Sequence, residues 1–315
     1  MKRLIFKYLH IFIFTCIIGV ALTSCRDDEP SSKSIFEDVD TSANTEFDNW
    51  IKTHFTDSFN IRIIYRYVDK ETSSSYNVIP TAEDKAIGMA IILRHVWLGA
   101  YREIMQDVDT CFMEKYSPKL FRFVGSAMYE TGTGKMTLGD AGGGSIVTLT
   151  NVNAIDLDNP YVDITTALAS KSENPLDMNY WFFKTMHHEF CHILTQNKDY
   201  STDFRTISVG KYAPSDWYNK GDNETLPEGF VSAYASSESN EDFAETYAYY
   251  VTHTQEALDA LLAQAGEEGA SIINQKIEFI RTYCNDTWKM DLDHVREVVL
   301  RRAQEVTSLD LKHLD

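Results

Sequence analysis

The chain has 315 residues, 43% of them apolar, and a formal net charge of −18. That apolar share is enough for a real core, and the length suits one large domain or two subdomains. So acidic a chain offers no footprint for nucleic acid, which needs clustered basic side chains against phosphate, and no Lys/Arg run is present to hold an anionic bilayer.

From the amino terminus, Lys2, Arg3 and Lys7 precede a largely apolar run over residues 8–22, and Thr23, Ser24 and Cys25 follow. A basic start, a short apolar stretch and small residues before the cut read as a signal peptide over residues 1–24. The run is too short and wrongly flanked for a transmembrane helix. Leu22-Thr23-Ser24-Cys25 resembles a bacterial lipobox, which implies that Cys25 is lipidated and becomes the first mature residue. Arg26-Asp27-Asp28-Glu29 then resembles the export signal of surface lipoproteins in Bacteroidetes-type bacteria. Together they imply an outer-membrane lipoprotein exposed at the cell surface, with a periplasm-facing one as the alternative. Loss of residues 1–24 removes three positive charges and no acid, taking the balance from −18 to −21. The lipid then does the anchoring, and the charge mainly gives solubility. Residues 25–45, rich in Ser, Asp and Glu, read as a flexible tether, and residues 46–315 as the folded domain.

Within that domain, residues 47–55 read as a helix. Residues 60–68, with Ile61, Ile63, Ile64, Tyr65 and Tyr67, read as a strand. Pro80 and Thr81 open a long helix that runs to about Met105. Residues 120–128 and 145–151 read as two further strands, joined by a glycine-rich connection over residues 132–144. These glycines are not a phosphate cradle: no Lys-Ser/Thr follows, and the next element is a strand, not a helix. They read as a turn into an edge strand, which can pair with an extended peptide backbone. Residues 179–197 read as a helix, with Phe182, Phe183, Met186, Phe190, Ile193 and Leu194 at helical spacing. A polar loop covers residues 199–224, and the rest reads as helical to the end. The fold class is α+β, with a mixed sheet and helices over residues 46–197 and a mainly helical part over residues 198–315. The order strand, helix, strand, strand, helix resembles the N-terminal half of the zincin fold.

The chemistry concentrates at His188-Glu189-Phe190-Cys191-His192, the pattern HExxH. On a helix, positions i and i+4 share a face, so His188 and His192 can bind one Zn²⁺ through nitrogens about 2.0–2.1 Å from the metal. Glu189 then sits beside the metal without being a ligand, placed to take a proton from water. Both histidines project well over a right angle from the apolar stripe, so they face a cleft or a second layer. His187 points away from them, toward a structural or subsite role. His54, His95, His253, His294 and His313 show no ligand spacing. No Gly-x-Ser-x-Gly elbow supports a serine hydrolase. Five cysteines are present. Cys16 leaves with the signal and Cys25 is the lipid site. Cys111, Cys191 and Cys284 remain, an odd number that argues against a disulfide framework. Cys111 and Cys284 can still bridge in an oxidising compartment, and Cys191 reads as a small packing residue.

HExxH supplies two ligands, and a catalytic zinc takes three from the protein. The metzincin continuation is absent, since residues 193–198 are Ile-Leu-Thr-Gln-Asn-Lys. Glu241 and Glu245 lie at i and i+4 of a downstream helix whose apolar stripe is Phe243, Tyr247, Tyr250 and Val251. Glu241 is assigned as third ligand, and Glu245 as a carboxylate accepting from the far nitrogen of a liganding histidine. Glu228, in Leu226-Pro227-Glu228-Gly229, competes for the third position.

HEFCH, then Tyr234, then Glu241-Asp242-Phe243-Ala244-Glu245 resembles the catalytic segment of anthrax lethal factor and its gluzincin relatives. That resemblance implies that Tyr234 hydrogen-bonds the oxyanion of a tetrahedral intermediate. With the lipobox and acidic leader, the chain also resembles the zinc metallohydrolase lipoproteins of Bacteroidetes associated with nutrient import. This implies a peptidase with one catalytic Zn²⁺ and a peptide or protein substrate. It also implies a TonB-dependent transporter and its surface binding lipoprotein as partners. A noncatalytic substrate-binding lipoprotein is the alternative, and the intact Glu189 argues against it.

Overall fold

Thr45 opens the first helix as a reciprocal cap: its Oγ1 accepts from the Asp48 amide at 3.2 Å, and Asp48 Oδ2 accepts from the Thr45 amide at 3.0 Å. Helix α1 (Glu46–Ile51) continues through a π-wound turn (Lys52–Thr56) and Asp57–Phe59. It stops at Asn60, whose φ of 56° is left-handed. The computed structural model describes residues 44–66, 78–129, 136–137, 145–168 and 174–315. The signal, lipobox and tether readings, and most of the glycine-rich connection, lie outside the described residues.

Strand β1 (Arg62–Ile64) is shorter than the expected strand, whose Tyr67 and Val68 are outside the described residues. Helix α2 runs over Glu83–Ile92, a π-wound stretch Leu93–Leu98, and Gly99–Met105. Its buried Met89, Leu93, Val96, Trp97, Ala100, Tyr101 and Ile104 recur at the three-to-four spacing of one helix face. Helix α3 (Phe112–Tyr116) leads into β2 (Leu120–Phe123), β3 (Met128–Tyr129), β4 (Met136–Thr137) and β5 (Ile146–Leu149). The three-stranded sheet has the order β1–β2–β5, with Ile63 opposite Phe121 and Phe121 opposite Val147. Both pairings are parallel, where a mixed sheet was expected; among the described residues antiparallel pairing is limited to the separate β3–β4 ribbon and an isolated Pro80–Val124 bridge. Each strand regains its direction through a long connection, α2 and α3 in the first case, as parallel pairing demands. The expected strand over residues 120–128 breaks at Gly125. There a Cβ would stand 2.3 Å from both the Pro80 carbonyl oxygen and Asn153 Nδ2. Strand β5 is an edge of its sheet and packs against the HExxH helix.

That helix, α4, is π-wound over Asn179–Phe183 and α-helical over Lys184–Asn197. Phe190 pins its inner face. The ring sits 5.3 Å from Trp97, 4.5 Å from Tyr101 and 6.2 Å from Phe112, centroid to centroid. Short helices α5 (Phe204–Ile207) and α6 (Asp222–Thr225) punctuate the polar loop. Helices α7 (Ser239–Thr252), α8 (Gln255–Tyr283, broken at Gly266 with φ 70°) and α9 (Leu292–Glu305) follow. Helix α7 is central, packing on α4, α8 and α9, while α9 returns to α2. Thr45–Asp315 forms one compact unit. Among the described residues no helix is long and apolar enough to cross a membrane. Cys111 is exposed, Cys284 is buried and both are free, so no bridge joins them; Cys191 is buried in the core.

Candidate metal centre

His188 and His192 stand one turn apart on α4, on the side away from Phe190. Their Nε2 atoms are 3.0 Å from each other. Packing of α7 on α4 brings in Glu241, from the first turn of α7. Its Oε2 lies 3.1 Å from His188 Nε2 and 3.2 Å from His192 Nε2. Ligand atoms at zinc distances around a tetrahedral centre stand about 3.3 Å apart, so this triangle is close to the size the ion needs. His188 Nδ1 is 2.9 Å from Glu245 Oε1, with the ring turned somewhat off ideal alignment. That neighbour favours the proton on Nδ1 and leaves Nε2 a bare lone pair. Three lone pairs aimed at one point repel one another unless a proton or a metal ion lies between them. Two imidazoles and a carboxylate form a donor set that suits zinc. Among the described residues, His188, His192 and Glu241 are the one group of three donors close enough to hold a metal ion.

The second oxygen of Glu245 is held as firmly as the first. Lys184 Nζ is 2.7 Å from Oε2, and Ser232 Oγ donates to the same atom. Burial would raise the Glu245 pKa, but the Lys184 charge and the His188 bond hold it well below the usual carboxylate range. Burial likewise opposes ionisation of Glu241, yet its bonds to His188 and His192 bring its pKa down to about 2. In the metal-free cluster His188 moves the other way. Burial would lower it, and the Glu241 and Glu245 carboxylates outweigh burial and lift it to about 10.

Glu189 is buried on the same helix, and its charge adds to the field at both His188 and Tyr234. Tyr234, in the 3-10 turn Tyr234–Ser236, stacks on the His188 ring with centroids 5.9 Å apart. Trp217 meets Tyr234 edge-on at 4.8 Å. Burial, then the charge of Glu241, raise the Tyr234 phenol, which therefore stays protonated and able to donate.

A family model described as "Putative zinc-binding metallo-peptidase" matches residues 40–293. The chain belongs to this family. A crystal structure bearing the same description, from Bacteroides caccae ATCC 43185, is 34% identical, with a TM-score of 0.66 over 89% of this chain and 99% of that one. No curated protein matches.

In this member of the metallo-peptidase family, Glu228 is engaged elsewhere: its carboxylate pairs with Lys220 at 3.0 Å. His187 is a cross-brace. Its Nδ1 is 2.8 Å from the Tyr101 hydroxyl, which in turn is 2.8 Å from the Tyr247 hydroxyl, so α2, α4 and α7 are tied together. Full burial brings its pKa down to about 3. Sequence reasoning passed over Lys184 and Ser232. Lys184 had a signal, since it lies one helical turn before His188 on the same face. Ser232 had none, because only the tertiary fold brings its loop to Glu245.

Proposed function

We propose that the chain is a zinc-dependent peptidase in which His188, His192 and Glu241 hold the ion. The observation that carries this reading is the triangle of donor atoms, 3.0 to 3.2 Å on a side, with Glu189 next to it. Zn²⁺ bound there would supply Lewis acidity toward a scissile carbonyl and make water acidic enough to attack near neutral pH. Glu189 accepts the proton of the attacking water and delivers it to the leaving amine. The Tyr234 phenol donates a hydrogen bond to the developing oxyanion. Glu245, braced by Lys184 and Ser232, keeps the His188 ring turned so that Nε2 faces the site. Strand β5, an edge of its sheet among the described residues, would offer backbone groups to an extended substrate. Zinc content after dialysis tests the assignment. About one zinc per wild-type chain and its loss in Glu241→Ala are expected; a wild type that stays metal-free after zinc is added back refutes it.

The lipobox-like Leu22–Cys25 stretch and the acidic residues after it support a lipid-anchored protein at the outer membrane. Its partners there would be a TonB-dependent transporter and that transporter's surface binding lipoprotein. Labelled fatty acid should enter the wild type and not Cys25→Ala. Equal labelling of the two would remove the anchor from this account.

A further inference from the structure

The groups around the metal centre come from two pieces of chain besides α4. Residues 226–236 carry Ser232 and Tyr234, and the first turn of α7 carries Glu241. Lys276, in the second half of α8 and 0% exposed, touches both pieces. Its Nζ is 2.7 Å from Asp242 Oδ2 and donates to the Gly229 carbonyl oxygen at 2.7 Å. The Phe230 ring lies under the ammonium at 4.0 Å, and the Tyr212 hydroxyl donates to the same Asp242 oxygen at 2.9 Å. Gly229 has φ of 93°, and a Cβ there would stand 2.4 Å from Ile272, so only glycine presents this carbonyl so close to α8. A fully buried ion pair is costly to desolvate, and apolar side chains often replace one without loss of stability. Stability alone therefore gives no reason for a buried ion pair here.

We propose that the Lys276–Asp242 pair is a positioning device for the metal centre. Asp242 directly follows Glu241, so anchoring its carboxylate fixes the rotation of the turn that aims Glu241 at the two histidines. The bond to Gly229 fixes the loop that places Ser232 on Glu245 and Tyr234 on His188. This rests on the zinc reading above.

The test is the zinc dissociation constant, by chelator competition, of the wild type and three variants, with the unfolding midpoint of each metal-free protein alongside. Asp242→Leu/Lys276→Met replaces the pair with apolar side chains; Lys276→Met alone would strand a buried carboxylate. Tyr212→Phe removes only one donor to Asp242. Arg296→Met is the structural control: it deletes another buried cation, whose Nε donates to the His253 carbonyl oxygen just beyond the far end of α7. The double variant should bind zinc about tenfold or more weakly, the range seen when groups behind metal ligands are lost. Tyr212→Phe should be weakened by a few-fold, and Arg296→Met should stay within about twofold of wild type whatever its midpoint. A double variant within twofold of wild type, or a control weakened as much, overturns the proposal. If the double variant does not fold, Tyr212→Phe decides on the same criterion. A wild type that binds no zinc instead overturns the reading of the site itself.

Discussion

His253 should make this protein lose stability in mild acid. The ring is 1% exposed, stacked on Tyr249 with centroids 4.1 Å apart, and its Nδ1 is 3.1 Å from the Tyr249 carbonyl oxygen. Nε2 is buried with no hydrogen-bond partner among the described residues. Burial first, then the positive charge of Lys184, bring its pKa down from 6.5 to about 3. The folded chain therefore keeps this ring neutral at pH values where the unfolded chain protonates it. Below 6.5 the unfolded state binds the extra proton, so stability falls as pH falls, by about 1.4 kcal/mol per unit until the folded ring titrates near 3. Between pH 7 and pH 5 the loss from this group is about 2 kcal/mol. Urea unfolding of metal-free protein at the two pH values, wild type beside His253→Gln, isolates it. The wild type should lose about 2 kcal/mol more than the variant over that interval. Parallel losses, within about 0.5 kcal/mol, would mean that the ring is hydrated or charged in the folded state and that the reasoning fails.

Two substitutions separate holding the metal from using it. Glu189→Gln should keep zinc at wild-type stoichiometry and lower kcat by about 10²–10⁴, the usual worth of a general base; normal turnover would remove Glu189 from that role. Tyr234→Phe should lower kcat by about 10²–10³ with zinc content and KM little changed, as for loss of one oxyanion donor. A change confined to KM would make Tyr234 a substrate contact instead.

Much of the local structure was readable because its causes are local. The long helix α2 and the helix bearing HExxH carry apolar residues at three-to-four spacing, and the ends of the latter fall where that spacing stops. The strands were harder. The runs over residues 60–68 and 120–128 have strand composition, but ladder length depends on what lies alongside. Gly125 leaves the ladder because its amide donates to the Ile79 carbonyl and its own carbonyl accepts from the Asn153 amide. Whether the sheet is mixed or parallel depends on connections, which side-chain alternation does not encode. The free Cys111 and buried Cys284 show the same limit, since pairing is a matter of distance and not of count.

The chain by itself determined that His188 and His192 would share a helix face with Glu189 beside them, because helical geometry alone sets the relation of positions i, i+1 and i+4. It also determined that Glu241 and Glu245 would share a face of another helix. Only the tertiary structure decided that the two faces meet, with Glu241 completing the triangle while Glu228 stays on Lys220. Only there do Lys184 and Ser232 converge on Glu245, and Lys276 on Asp242 and Gly229. Apart from Lys220–Glu228, those contacts join residues on separate elements of the chain, and their cost and benefit arise from burial, which comes only when the helices pack.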